Sequence, residues 1–591
     1  MGALKSLNPY LLKYKWSILI GITCVILSNI FAIYIPVYVR QAIDDVVAIT
    51  QILPNSQGNI LYKNILFNAL GFGAMVFIAA IFKGIFLYLM RQTLIVASRN
   101  IEFDQKNELY SKYQELDETF YRKNYTGDLM SRISEDISNV RMYIGPSIMY
   151  FANILFSFIL IIGQMATINW HLTLWVLIPL PFLSYSIYKV SSLINIGNKQ
   201  IQEQLSIITT KAQESFAGIR IIKSFGAEFE FASDFKSTGI EYKKKSLKLA
   251  KINALFFPLM TLLMGVSTII VLYIGGLEVQ KGKFTAGNVA EFIIYLNMLI
   301  WPVASLGWTT ALVQKASASQ QRIQEFLKIP VLKNLQNLVF KFNDVVSISN
   351  LSYQYADKND FAIRNLEFEI KKGQFIGLVG KTGSGKSTFL QILARQLNIH
   401  EGSYKLDGID IGNIDLVDFR DNIAYVQQDV FLLSDTIKEN ILFGSKSVPT
   451  NEMLNQILDV TQLTNDLKNF PDGINTVIGE RGVSLSGGQK QRVSLARALM
   501  KKSEILILDD CLSAVDADTE ERILSKLKII MKSKTVIMAS HRITPLILAD
   551  TILVLENGEL TNSGNHDYLL ESNDFYAWLN ENQNNFHSNT V

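Results

Sequence analysis

The sequence predicts an all-α membrane domain of six transmembrane helices followed by an α/β domain built around a P-loop. Three observations predict this. Six long apolar runs end by Val313, Lys and Arg gather in alternate connections between them, and GKTGSGKST at 380–388 stands between a strand-like run and a helix-like one. The chain has 591 residues, 49% hydrophobic and only 18% charged, with a mean hydropathy of +0.20, a balance unusual for a soluble enzyme.

The apolar excess falls at 16–39, 65–90, 146–168, 170–190, 252–275 and 287–313. A hydrocarbon core of ~30 Å takes about 20 apolar helical residues, so each run is long enough to cross it. Cytoplasmic loops near membrane spans hold the Lys/Arg excess. Arg91, Arg99, Lys106, Lys112, Arg122, Lys123, Arg132 and Arg141 follow the second run, and Arg220, Lys223, Lys236, Lys243, Lys244, Lys245 and Lys248 follow the fourth. The connections after runs one, three and five are shorter than these and carry few charges. Six crossings in this orientation put the N-terminus and everything after Val313 in the cytoplasm and make the chain a multi-pass protein of the cell membrane.

Lys5, Lys13 and Lys15 precede the first run, which is too long for a cleavable signal and is needed to keep the crossing count even. The two cysteines, Cys24 in the first span and Cys511 far beyond the last, predict neither a disulfide nor a metal site. The net charge of +3 is accounted for by the cytoplasmic loops and gives no support for nucleic-acid binding. Within the spans, Asn29, Gln164 and Asn297 suit either a cavity or hydrogen bonds between helices. Lys83 reads as reaching back to the inner interface. Glu291 reads as a solvated residue near the outer end of the sixth span, and Pro179 and Pro181 predict a bend in the fourth.

From about Val345 the chain changes to short β-rich runs, turns and amphipathic helices, as in an α/β domain. QFIGLV at 374–379 reads as a buried strand and FLQILARQL from Phe389 as a helix, the context that makes a phosphate-binding loop credible. Gly380, Gly383 and Gly385 let backbone N–H groups converge on phosphates, with Lys381, Thr382, Ser384 and Thr388 completing the loop, and the helix N-terminus adds partial positive charge. Lys386 is placed to reach the β- and γ-phosphates and the Ser387 hydroxyl to ligate Mg²⁺. A second phosphate-seeking element, LSGGQ at 485–489, precedes the amphipathic run KQRVSLARALM; Ser486, Gly487, Gly488 and Gln489 offer a hydroxyl, bare backbone donors and a helix dipole.

Two such loops in one chain resemble the nucleotide-binding domain of ABC transporters, and with six preceding spans the chain resembles an exporter-type half-transporter, of the kind that forms asymmetric heterodimers. The resemblance implies domains at 1–328 and 345–591 joined by a linker at 329–344, ATP and Mg²⁺ as cofactors, and a dimer in which each signature loop closes on ATP held by the other subunit. By the same resemblance, Tyr355 stacks on adenine, with Tyr353 left to the core. Gln428 touches Mg²⁺ and the attacking water, Asp509 holds Mg²⁺, Asp516 lies where the two ATP sites meet, and His541 contacts the γ-phosphate. Glu480 matches a segment that meets the membrane domain. NYTGDLMSRISEDI at 124–137 and ESFAGIRIIKSFGAE at 214–228 resemble the two cytoplasmic coupling loops.

One position departs from the pattern. The family has a glutamate after the Mg²⁺ aspartate, where it polarises the attacking water; this chain has Asp510. Aspartate keeps the charge but shortens the side chain by roughly 1.5 Å, a displacement that can cost on the order of 100-fold in rate. ATP binding is expected to survive and turnover at this site to be slow. An unlike half-transporter that supplies the glutamate is the preferred partner, and a homodimer with two aspartates is the alternative. Amphiphilic small molecules or lipids are the cargo that the resemblance implies. An ATP-gated channel or regulatory subunit is a rival reading, separable because only a pump builds an ATP-dependent gradient in vesicles.

Overall fold

The computed structural model describes residues 2–52, 58–331, 338, 340–355, 360–399, 401–445, 449–479 and 485–588. The chain separates into two compact units, one of residues 1–115 and 125–330, the other of residues 116–124 and 331–591.

The first unit is helical. Among the described residues, five of its helical stretches are long and apolar enough to cross a membrane: Lys15–Ile49, Ile65–Glu115, Thr126–Ile168, Glu228–Gln280 and Ala286–Leu327. The fourth apolar run is helical too but divides into Trp170–Leu177 and Pro179–Ala217. Pro179 and Pro181 lack the N–H groups that an unbroken helix would use, and Ile178, its backbone still right-handed helical, turns its N–H to the Trp175 carbonyl at 3.3 Å, so the ladder is interrupted at the prolines where the bend is expected. The charged connections after the second and fourth runs are not loops but continuations of helices. Gly58–Glu115 has 58 residues, about 87 Å at 1.5 Å per residue, far more than the ~30 Å of hydrocarbon it crosses.

The stretch Thr126–Ile168 contains two π-helical turns, Arg132–Asp136 and Tyr143–Ser147. Pro146 lies in the second, where a ring without a donor obliges the hydrogen-bond ladder to skip. One apolar core joins Ile161, Met165, Leu172, Val176, Met264, Phe292, Tyr295 and Leu299 across four helices. Asn29 is used between helices: its amide donates to Asn153 Oδ1 at 2.9 Å and its Oδ1 accepts from the Ser157 hydroxyl at 2.6 Å. Asn297, exposed, donates to the Ile293 carbonyl of its own helix at 3.0 Å.

Glu291 overturns the expectation of a solvated residue. Its side chain is 0% exposed, pairs with Arg40 Nη1 at 3.1 Å, and accepts from the Tyr295 hydroxyl at 3.0 Å. Four residues along from Arg40, Asp44 accepts from the Gly287 N–H and the Thr285 hydroxyl, each at 2.9 Å, capping the helix that carries Glu291. The first and sixth spans are thus tied at their outer ends by two carboxylates, one on each helix.

Among its described residues the second unit carries two sheets. β1 (Val345–Gln354), β2 (Phe361–Lys371), β4 (Glu401–Leu406) and β5 (Ile409–Asp410) form an antiparallel sheet in the order β2-β1-β4-β5. β3 (Phe375–Val379), β6 (Ile423–Val426), β7 (Ile505–Asp509), β8 (Thr535–Ala539), β9 (Thr551–Glu556) and β10 (Glu559–Gly564) form the second, in the order β10-β9-β3-β8-β7-β6. Its strands from β9 to β6 are parallel, with Phe375 beside Val536 and Asp509 beside Ala539. FIGLV, ILILD and TVIMA are buried at every position, as central parallel strands covered on both faces must be. Ligands of such sheets sit outside the carboxyl ends of the strands. Adjacent β3, β8 and β7 deliver there the loop at 380–388, the loop after Ala539 and the pair Asp509 and Asp510.

Candidate active site

The phosphate loop is held by contacts that leave no room for larger residues at its first and last glycines. A Cβ on Gly380 would stand 2.3 Å from the Leu555 carbonyl oxygen, and Gly385, at φ 99°, would aim one at the Ala362 carbonyl oxygen 2.5 Å away. Gly385 then opens the helix Lys386–Leu393. Lys386 is buried and folded onto its own loop, donating to the Gly380 carbonyl at 2.7 Å and the Lys381 carbonyl at 3.0 Å. Burial pushes its ammonium below the usual lysine range, against the nearby charges of Asp509 and Asp510. Among the described residues the buried Ser384 hydroxyl has no hydrogen-bond partner. A desolvated cation with an unsatisfied hydroxyl beside it is a setting that an anion would relieve.

Beside this loop Ser387 Oγ donates to Asp509 Oδ1 at 3.2 Å, and the Tyr425 hydroxyl donates to Asp509 Oδ2 at 3.4 Å. Burial pushes the Asp509 carboxyl up from its ordinary value; the Ser387 bond opposes this and the Asp510 charge adds to it. A hydroxyl and a buried carboxylate are hard oxygen donors of the type Mg²⁺ takes, and a cation there would offset the desolvation of Asp509. Among the described residues no group of three or more His, Cys, Asp or Glu side chains is placed to hold a metal, so such an ion would complete its shell with water and phosphate oxygens. Tyr425 has no place in the sequence motifs; its signal is positional, at the third residue of β6, the strand paired with β7.

Asp510 is half-buried and has φ 45°, a left-handed backbone that Asp tolerates better than most residues. Its N–H donates to the Ala539 carbonyl at 2.9 Å and its carbonyl accepts from the Ser513 hydroxyl at 3.0 Å, so the backbone is fixed on both sides. Cys511 follows, 3% exposed, its thiol pushed up to about 12 by burial and then by the charge of Asp510. At pH 8 only about 10⁻⁴ of such a thiol is ionised. In a Cys24→Ser background, Cys511 is therefore expected to resist maleimide in the native state and to label fully once unfolded, as intact mass will show.

His541 lies two residues after β8, half-buried, and its carbonyl accepts from Gln583 Nε2 at 2.9 Å. Gln428 lies two residues after β6, exposed, and among the described residues no hydrogen bond joins it to Asp509 or Ser387. Tyr353 is buried in the core, while the Tyr355 hydroxyl lies 3.1 Å from Thr388 Oγ1 at the end of the phosphate loop. The Arg122 guanidinium stands 5.4 Å from the Tyr355 ring centroid, and Arg122 Nη2 donates to Gln391 Oε1 at 3.0 Å. Arg122 belongs to the short helix Glu118–Lys123, capped by Asp117, within the piece 116–124 that clusters with the second unit. The sequence motif at 124–137 begins only where that piece ends.

The signature residues are organised as a helix start. Ser486 and Gln489 form a reciprocal capping box on the helix Gly487–Met500, with Ser486 and Gly487 exposed and Gly488 packed on Ala514. The Gln489 amide also donates to Asp466 Oδ1 at 3.1 Å, and Arg492 pairs with the same carboxylate at 2.6 Å. Among the described residues no hydrogen bond links 486–489 to 380–388, so the two phosphate elements of one chain do not form one site. Asp516 caps the helix Ala517–Met531 and is exposed; Glu480 lies outside the described residues.

Residues 18–303 match the family described as the ABC transporter transmembrane region, and residues 363–513 match the ABC transporter domain. The chain belongs to the ABC transporter family. Among the relatives of this ABC transporter is the multidrug resistance-like ATP-binding protein MdlA of Buchnera aphidicola subsp. Baizongia pistaciae, 33% identical over 580 residues, 97% of each chain. A probable multidrug resistance ABC transporter ATP-binding/permease protein, YheI of Bacillus subtilis, is 33% identical over 588 residues, 99% of this chain and 98% of that one. The ATP-dependent lipid A-core flippase of Syntrophus aciditrophicus is 30% identical over 502 residues, covering 84% and 83%. A solved bacterial Atm1-family ABC exporter with ATP bound shares the fold at TM-score 0.79 and 22% identity, over 98% of this transporter and 99% of that chain. The transporter is a multi-pass membrane protein of exporter type, with an ATPase domain after its membrane helices.

Proposed function

We propose that this transporter exports amphiphilic small molecules or lipids as one half of a dimer with an unlike half-transporter, and that its own ATP site binds nucleotide but turns it over slowly. The observation that carries the reading is Asp510 directly after β7, next to the buried Asp509. Around it, Lys386 and the backbone of 380–388 hold the phosphates, the Thr388 and Tyr355 side of the loop receives the base, and Ser387, Asp509 and Gln428 hold Mg²⁺. Bound Mg²⁺ supplies charge neutralisation at the γ-phosphate. Asp510 orients the attacking water from a side chain one methylene shorter than the task requires, and His541 contacts the γ-phosphate. Ser486 and Gly487 are exposed at a helix start, with Gly488 and Gln489 directly behind them, an arrangement suited to close on nucleotide held by the partner. Closure and reopening of the nucleotide domains drive the spans between inward- and outward-facing states.

The relatives named for multidrug resistance and for flipping lipid A-core support an amphiphilic cargo. The test is to purify the tagged full-length chain from its native membrane and identify by intact mass what comes with it. A second half-transporter carrying glutamate at the position of Asp510, with vesicle ATPase that needs both chains, is the expected result. A chain that pairs only with itself and hydrolyses ATP briskly would overturn the unlike-partner reading.

A further inference from the structure

The helix Asp574–Ser588 closes the described chain, and three of its side chains reach inward in a way that connects two loops of the ATP site. Tyr576 anchors it: the residue is 0% exposed and its hydroxyl lies 2.8 Å from His566 Nδ1. Two turns later and on the same face, Gln583 Nε2 donates to the His541 carbonyl at 2.9 Å, while Gln583 Oε1 accepts from the Ile543 N–H at 2.8 Å. One residue before the anchor, the Phe575 ring receives the Lys381 ammonium 5.6 Å from its centroid.

The loop after β8 is held at its start by Ser540, whose N–H donates to the Leu378 carbonyl at 3.2 Å, and beyond it by the buried Ile543 and Leu546. Between these fixed points the backbone at His541 is held from outside. A primary amide that engages a carbonyl and an N–H two residues apart sets the orientation of the peptide units between them, which one bond alone would leave free to turn. Phe575 meanwhile ties the same helix to the second residue of the phosphate loop.

We infer that this C-terminal helix is a brace for the ATP site, and that Gln583 is the positioning residue that aims His541. The inference rests on the γ-phosphate role proposed above for His541. Gln583 touches neither nucleotide nor metal; it acts through the backbone of residues 541–543. A catalytic group displaced by ~1 Å can lose on the order of 10²-fold in rate, and releasing one of several restraints on it is expected to cost about 10-fold.

The test uses the full-length chain in lipid, with and without Asp510→Glu, so that turnover is fast enough to read. Gln583→Leu is expected to lower kcat about 10-fold while KM for ATP and the affinity for a fluorescent ATP analogue stay put, and to speed amide hydrogen exchange at 541–546. Gln583→Glu keeps the acceptor for Ile543 N–H but loses the donor to His541, so its kcat falls between the two. Unchanged kcat in Gln583→Leu despite faster exchange overturns the brace, as does a parallel loss of kcat and nucleotide affinity, the mark of a merely structural role. Failure of Asp510→Glu to raise turnover strikes the proposed function instead, because the exchange comparison is read on the parent chain.

Discussion

Asp510→Glu is expected to raise ATP turnover by the isolated chain on the order of 10²-fold while leaving nucleotide affinity unchanged. The direction follows from geometry. The backbone of Asp510 is pinned by the Ala539 carbonyl and the Ser513 hydroxyl, so it cannot advance to make up for a short side chain. General-base assistance as a whole is worth about 10² to 10⁴, which bounds the gain from above. Affinity should not move, because Lys386, Ser387 and Asp509 keep their partners. Glutamate tolerates φ 45° less well than aspartate, so the variant is also expected to lose about 1 kcal/mol of stability. Steady-state hydrolysis by purified parent and variant in lipid decides it: equal rates would mean that Asp510 is not the group that limits turnover.

The second large effect lies in the membrane unit, at the Arg40–Glu291 pair. Removing one partner of a buried ion pair costs about 3–5 kcal/mol, because the other charge is left desolvated. The two single variants are not equivalent. Arg40→Ala strands a carboxylate that is 0% exposed and falls at the upper end of that range, whereas Glu291→Ala strands a guanidinium that is 25% exposed and can recruit water, so it falls at the lower end. The double variant is expected to cost less than the sum of the singles. Thermal unfolding of the detergent-solubilised chain, followed by tryptophan fluorescence, tests the order; a milder effect for Arg40→Ala than for Glu291→Ala would contradict it.

What could be read from the sequence is what local chemistry writes into consecutive residues. Span existence follows from run length, the parallel sheet from unbroken apolar strands such as FIGLV and ILILD, and the phosphate loop from glycines whose spacing the turn itself requires. What escaped depends on partners far along the chain. Glu291 reads as solvated because nothing near it in sequence announces Arg40, 251 residues earlier. Tyr425 and Gln583 carry no motif, since an ordinary tyrosine on a strand or glutamine on a helix becomes meaningful only when the fold sets Asp509 or His541 beside it. The prolines at 179 and 181 were legible as a local interruption, because a missing donor acts on its own turn of helix, and the ladder is interrupted there, with the next helix beginning at Pro179.

The two π turns at Arg132–Asp136 and Tyr143–Ser147 give the third span an unusual mechanical property. Each accommodates one residue beyond the α-helical count, so each resets the angular phase of everything after it by about 100°. Across that stretch the contacts with the helix Ala286–Leu327 still line up, Asp136 with Arg322, Asn139 with Ser319 and Tyr150 with Trp308. Losing a single residue at the first turn, or Pro146 itself at the second, would let the ladder heal into ordinary α-helix with every hydrogen bond kept. The change would act as a twist of the membrane portion against its cytoplasmic extension rather than as a shortening, unzipping one half of that seam while leaving the other in place.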